Sequence, residues 1–371
     1  MAISHEKPGL FEPVTIGGLR LRNRLMRSAT AERMADNATG APLPKLATLY
    51  RDLAEGGVGL IVTGHAYVMR TGKAHPEMAA LDSDELIPVW RETIAAAQAA
   101  GAKVMVQINH GGASCDPVET PEPLSPSGVP SGTRTKHANV MTDEEIAQAV
   151  DAFGQTARRA KAAGFDGVQI HGAHGYLTSQ FLTPATNLRQ DRWGGDPERR
   201  RAFLNAVIAA ARAQVGPDYP VWIKLGVAGR EDSGLTLDEG AQAAQACVAG
   251  GVDAIEISHA LGTPSWTKKA PEPPFLRMAE AVRVAVGPDY PLALVNGFRH
   301  LAVMQRTLAS GAAQVISLCR PLIVEPHLPR LLQEGATDKA ICASCSQCWP
   351  NAFGEGIACH NRSVQKRLMA V

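Results

Sequence analysis

Three residues within one short stretch could act on a carbonyl group. In Q-I-H-G-A-H-G-Y-L, residues 169–177, His171 and His174 stand three apart and Tyr176 follows two later. Two neutral imidazoles can each donate an N–H to one oxygen, which would polarise a carbonyl or bind a phenolate. A tyrosine hydroxyl is a donor of suitable strength for delivering a proton to carbon. The same spacing also fits ordinary rim histidines, a buried structural histidine, or a metal-ligand pair, although no Asp or Glu at suitable spacing strengthens the last. A second constellation is C-terminal. Cys342, Cys345, Cys348 and Cys359 follow one another as C-x2-C-x2-C-x10-C. Two successive C-x2-C steps crowd three sulfurs into one small loop, which suits iron–sulfur or zinc ligation. Free thiols without a metal are the third reading. Cys115 and Cys247 read as filler.

Elements that position such residues must recur along the chain. A small-residue/Gly turn followed by an apolar run appears five times: AEGGVGLIV (54–62), AAGAKVMVQI (99–108), AAGFDGVQI (162–170), AGGVDAIEI (249–257) and ASGAAQVISL (309–318). Each predicts a helix end, a left-handed glycine cap and a short buried strand. VGPDYPVWI (215–223) and VGPDYPLAL (286–294) share a second turn before a strand. In order, the expected strands are 24–29, 58–64, 103–109, 167–172, 221–226, 254–258, 292–296 and 314–318. Helical stretches lie between them, for example at 88–100, 143–163, 197–214, 238–249 and 300–310. Alternating strands and helices imply right-handed βαβ units and a parallel sheet. Eight units predict an α/β fold closed as a (β/α)8 TIM barrel, not an open doubly wound sheet. No G-x-G-x-x-G follows the first strand. The segment 14–24 has hairpin character and is placed at the barrel bottom. The Pro-, Gly- and Ser-rich connection 110–141 is expected at the C-terminal face, where barrel active sites lie. No linker divides residues 1–371, so the chain reads as a single domain carrying a Cys-rich segment at 342–359.

Composition excludes several classes. The chain has 37 Lys+Arg against 36 Asp+Glu, a net charge of +1. That gives no electrostatic case for nucleic acid or an anionic membrane. No apolar run approaches the roughly 18–20 residues of a membrane span. The N-terminus MAISHEKPGLFEP has no apolar core of a secretory signal. Seven cysteines, four crowded near the end, suit a reducing compartment, so a cytoplasmic location is expected.

The stretch HGAHGYLTSQFLTPATNLRQDRWGG (171–195) resembles the signature of the old yellow enzyme family of FMN-dependent oxidoreductases. NRLMRSAT (23–30), GGVGLIVTG (56–64), VQINHGG (106–112), WIKLG (222–226), NGFR (296–299) and CRPLI (319–323) fall in family order, one per strand end. The resemblance spans roughly residues 11–366. It implies one FMN at the C-terminal face of the barrel. Ser28, Ala29 and Thr30 match the loop whose backbone contacts the flavin, and Gly64 ends the matching second-strand motif. Gln107 matches the glutamine on the pyrimidine edge. Lys224 matches the cation beside the flavin N1–C2=O region. Gly297 and Arg299, with Cys319 and Arg320, match the phosphate-binding segments, and a phosphate suits backbone N–H groups and an arginine fork. His171 is expected at both cofactor and substrate. The family often has Cys or Thr where Ala31 stands here. His259 loosely matches a site histidine of the related dienoyl-CoA reductases. The Cys run resembles the [4Fe–4S] segment of those reductases and of trimethylamine dehydrogenase. The implied reaction is ping-pong: NAD(P)H reduces the flavin, and an enone-type small molecule held by His171 and His174 then receives hydride, with Tyr176 protonating carbon. Alternatives are a dienoyl-CoA-reductase-like or amine-dehydrogenase-like enzyme with an iron–sulfur relay, or a non-catalytic flavin or redox sensor. A homo-oligomer is compatible with all of them.

Overall fold

The protein's structure, a computed structural model, describes residues 9–131, 135–350 and 352–368. Eight parallel strands close into one barrel: Leu25–Arg27, Leu60–Tyr67, Lys103–Asn109, Gly167–Gly172, Val221–Ala228, Ala254–His259, Leu292–Val295 and Val315–Leu318. Each pairs with the next, and the last returns to the first through Ile316 opposite Leu25 and Leu318 opposite Arg27. All eight expected strands are present. The third and fourth match end to end, while the second runs on to Tyr67 and the fifth to Ala228.

The repeat has the backbone its residues require. Gly164 has φ 90°, and Gly57, Gly101, Gly251 and Gly311 before the other strands are likewise left-handed. That conformation is open to glycine and costly for a residue with a Cβ. The second repeat is also one structure used twice. Arg212 Nη1 donates to the carbonyls of Gly216 and Tyr219, and Arg283 Nη1 to those of Gly287 and Tyr290.

The helix Asp143–Ala163 matches expectation at both ends. Thr142 Oγ1 accepts the Glu145 N–H, and the Glu145 carboxylate accepts the Thr142 N–H, a reciprocal cap that fixes the first turn. Thr236 and Glu239 start Leu237–Ala249 in the same way. The stretch expected as one helix over 197–214 is two, Pro197–Arg200 and Ala202–Val215.

The hairpin, Val14–Ile16 with Leu19–Leu21, plugs one end of the barrel. Its Ile16, Leu19 and Leu21 pack on Met26, Leu60, Met105, Ala254, Ala293 and Val315, most of them at strand starts. The opposite, C-terminal mouth is left open for the loops. There the long connection 110–141 folds back on itself, with Leu124–Ser125 beside Asn139–Val140. Among the described residues no helix is long and apolar enough to cross a membrane.

Candidate active site

The floor of the mouth is a buried polar network. Ser28 follows the first strand, tied by its N–H to the Leu318 carbonyl. Lys224 Nζ is 2.6 Å from Ser28 Oγ and 3.0 Å from Glu256 Oε1. Glu256 is fully buried and also accepts from Ser28 Oγ (2.8 Å), Ser317 Oγ (2.7 Å) and Gln169 Nε2 (3.0 Å). Gln107 Nε2 in turn donates to Gln169 Oε1 at 2.7 Å. Burial raises the Glu256 carboxyl, but the Lys224 charge and these hydrogen bonds outweigh it and hold the group below its ordinary value. Sequence reasoning found Ser28, Gln107 and Lys224 and missed Gln169, Glu256 and Ser317. One signal was present: a lone carboxylate inside the apolar run AIEIS.

Above the floor the rings of His171, His174 and Tyr176 converge. The His171 ring lies 5.0 Å from His174 and 4.8 Å from Tyr176, both edge-on. Ala173 N–H donates to His171 Nδ1 at 3.2 Å, so the neutral ring carries its proton on Nε2. His174 sits at φ 60°, a backbone region uncommon outside glycine and enriched at functional sites. Its Nε2 is 2.8 Å from Ser258 Oγ, and its ring lies 4.6 Å from His259. Burial holds His171 and His174 far below the usual histidine range, so both are neutral. Burial also raises the Tyr176 hydroxyl, which stays protonated.

A second histidine pair was not foreseen. His65 lies 5.1 Å from the Tyr176 ring and 5.1 Å from His75. The Pro76 carbonyl can only accept, so His75 Nδ1 donates to it at 2.8 Å. His75 Nε2 must then accept from His65 Nε2–H at 3.0 Å, and His65 Nδ1 accepts from Asn109 Nδ2 at 2.8 Å. Burial lowers both rings, His75 to about 4. No spacing signal marks a pair split between a strand and the loop after it.

Two cavities meet at His174. The first, about 400 Å³, is bordered by Ser28, Ala29, Lys224, Gly297, Cys319 and Arg320. The second, about 530 Å³, is bordered by His75, Tyr176 and Trp349 among others. Both fall in the range of small-ligand sites, roughly 300–1,000 Å³. Of the remaining expected cofactor residues, Thr30, Gly64, Gln107, His171 and Arg299 border neither cavity. Thr30 Oγ1 is 3.1 Å from Cys319 Sγ, and the Gly64 N–H is held by Glu32 Oε1 at 2.8 Å. His259 borders the first cavity, and Cys115, read as filler, borders the second with its thiol raised to about 12 by burial. Cys247 is core filler as expected.

The residues of the first cavity fit FMN. Arg299 Nε is buried without a hydrogen-bond partner. Arg320 Nη1 reaches only the Ser344 carbonyl (2.8 Å) and Ser346 Oγ (3.2 Å). Arg320 stands on the cavity wall and Arg299 two residues beyond the wall residue Gly297, and such guanidinium groups suit a phosphate. Gly297 has no room for a side chain, since a Cβ would lie 2.4 Å from Pro274 Cδ.

The C-terminal cysteines gather beside the first cavity, with the Cys348 thiol in electrostatic reach of Cys342, Cys345, Cys359 and Cys319. Cys342 and Cys348 are buried, Cys359 is half-buried and Cys345 is exposed, all as free thiols. Among the described residues no group of three or more His, Cys, Asp or Glu side chains is arranged to hold a metal. Arg320 fastens Ser344 and Ser346 at the first cavity, and Asn361 Nδ2 donates to Cys345 Sγ. The segment forms wall: Ser344 and Ser346 border the first cavity, Trp349 and Pro350 the second.

Comparison with known proteins shows the family and the fold. A family model for the NADH:flavin oxidoreductase / NADH oxidase family matches residues 9–339. A metal reductase of Desulforamulus reducens is 36% identical over 352 residues, covering 93% of this chain and 52% of that protein. The chain spans about half the length of the first curated relatives it matches. A 2-naphthoyl-CoA reductase–2-naphthoyl-CoA complex superposes with a TM-score of 0.85 at 28% identity, covering 93% of this chain and 55% of that one. An old yellow enzyme homologue from Zymomonas mobilis gives a TM-score of 0.79 at 25% identity, covering 90% and 94%.

Proposed function

The chain belongs to the NADH:flavin oxidoreductase / NADH oxidase family, and on that premise we propose that, with FMN bound, it oxidises NADH or NADPH and reduces the C=C bond of an α,β-unsaturated carbonyl compound. When bound, FMN supplies the two-electron hydride chemistry. Lys224, held by Ser28 and Glu256, would set a positive charge beside the flavin pyrimidine edge, with Gln107 oriented by Gln169. Ser28, Ala29, Thr30 and Gly64 would frame the ring. Gly297, Arg299, Cys319 and Arg320 would hold the phosphate. The same reading takes the chain as one FMN-binding barrel unit with the cysteine-rich segment appended.

One observation carries the proposal: His171 is neutral with its proton on Nε2, in ring contact with His174 and Tyr176. His171 thus offers a fixed donor to a carbonyl oxygen. His174 becomes the second donor when the Ser258 hydroxyl donates to its Nε2, leaving the proton on Nδ1. Two donors on one oxygen draw electron density from the β-carbon. Tyr176, kept protonated by burial, is placed to give a proton to the α-carbon.

The test is anaerobic. Purified protein should release FMN and not FAD, and should oxidise NADH or NADPH in step with conversion of 2-cyclohexen-1-one to cyclohexanone. A protein that takes up no flavin, or that oxidises NAD(P)H without forming cyclohexanone, refutes the reading.

A further inference from the structure

The second cavity holds a cation that the chemistry above does not use. Arg33 lies on the loop after the first barrel strand, in the wall that also carries His75, His174 and Tyr176. Among the described residues lining this cavity, Arg33 is the one cation and Asp116 the one acid. Asp116 is buried, and its Oδ1 accepts the Val118 N–H at 3.1 Å. The Arg33 side chain is only 18% exposed, and its backbone is left-handed at φ 52°, a conformation that bulky residues seldom adopt away from functional sites.

Arg33 is also poorly satisfied. Its Nε is buried and without a hydrogen-bond partner. The nearest carboxylate oxygen, Glu77 Oε2, stands 3.4 Å from Nη2, and that oxygen likewise accepts no hydrogen bond. Glu77 gives its other oxygen to the Gly354 N–H at 2.6 Å. The Phe353 ring centroid is 5.7 Å from Arg33 Cζ, a contact that leaves the guanidinium donors unused. His75 is neutral and adds no charge; burial dominates its depression and Arg33 contributes to it. A half-sheltered arginine fork with unused donors, on the wall of a cavity that reaches Tyr176, suits an oxyanion that accepts two parallel N–H bonds.

We propose that the acceptor reduced at this site carries an anionic oxygen group, carboxylate or phosphate, which docks on Arg33 while its unsaturated carbonyl lies against His174 and Tyr176. The inference rests on the enone-reductase reading and adds the class of substrate.

The test uses the FMN-loaded protein and acceptors sharing one enone: a cyclohexenone bearing a carboxymethyl group, its methyl ester, and the matching phosphate. Wild type should show a lower KM for the acid or the phosphate than for the ester, and whichever is lower names the group. Arg33→Gln should raise the acid-to-ester KM ratio by about tenfold to hundredfold, the worth of a charged hydrogen bond, with kcat little moved. Arg33→Lys, which keeps charge without the fork, should fall between. Glu77→Gln should lower the KM for the acid, since it removes the competing carboxylate. A merely structural Arg33–Glu77 contact predicts that both variants weaken acid and ester alike, and that result overturns the proposal. So does a wild-type KM that ignores the charge. If none of the three enones is reduced, the enone-reductase reading has failed. Calorimetric binding of 4-hydroxybenzoate against phenol then still reads Arg33, and equal affinities overturn the anion site.

Discussion

Replacing Glu256 by glutamine removes one charge from the barrel floor with almost no change of shape. The wild-type Lys224–Glu256 contact is 3.0 Å long, with side chains 2% and 0% exposed. At an effective dielectric near 20, two unit charges at that distance attract by about 5–6 kcal/mol. Desolvation cancels part of this, and deleting one member of such a buried pair leaves the other charge stranded, at ~3–5 kcal/mol. The hydrogen bonds point the same way. Gln107 donates to Gln169, which donates to Glu256 Oε2. A glutamine at 256 can accept on one side only, so it either meets Gln169 donor to donor or forces both glutamines to turn. For 371 residues the unfolding entropy is roughly 0.8 kcal/mol/K, so Tm should fall by about 4–6 °C at pH 7. Urea unfolding followed by circular dichroism reads the free energy directly. The Glu256 carboxyl is depressed in the fold. Its contribution is therefore present above the unfolded value near 4.3 and is lost as pH falls through the lower folded value. Wild type and Glu256→Gln should converge in acid. A Lys224→Met/Glu256→Gln double variant should regain most of the loss, because no charge is then buried alone. A loss under about 1 kcal/mol at pH 7, or a double variant no more stable than Glu256→Gln, refutes the reasoning.

Three further outcomes follow from the site and its surroundings. Replacing His171 and His174 together by alanine should slow 2-cyclohexen-1-one reduction by at least 10²–10³-fold, about the worth of one oxyanion donor, while the NAD(P)H-consuming half-reaction measured by stopped flow suffers much less; wild-type enone turnover in that variant sinks the assignment. Tyr176→Phe should slow product formation by about 10²–10⁴-fold and leave phenol affinity nearly intact, so a fast variant would move the proton donor elsewhere. His110 is fully buried, with burial lowering it to about 4; the unfolded chain binds a proton there below about 6.5, so between pH 6.5 and 4 stability falls, by about 3 kcal/mol from this group, and His110→Asn should flatten the urea-derived stability curve over that interval.

The sequence alone determined what is local and periodic. Left-handed glycines such as Gly164, capping residues such as Thr142 and Glu145, and apolar runs of strand length announce themselves, because each depends on neighbours a few residues away. Eight such units leave little choice but a barrel, and its C-terminal mouth must then collect His171, His174 and Tyr176 from the end of a single strand. Tertiary structure alone decided the rest. Glu256 meets Lys224, Ser28 and Ser317 only because barrel closure brings the ends of different strands together. His65 meets His75, and Arg33 meets Glu77, through loops whose course depends on what they pack against. The cysteine run shows the limit most plainly. Its spacing announces a crowd of thiols, but only the packing of the segment sets Cys342 and Cys348 inside and leaves Cys345 exposed. Held by Arg320, Asn361 and the Gly354–Glu77 bond, the segment places Ser346 and Trp349 at the two cavities and brings Cys342, Cys345 and Cys359 within electrostatic reach of Cys348.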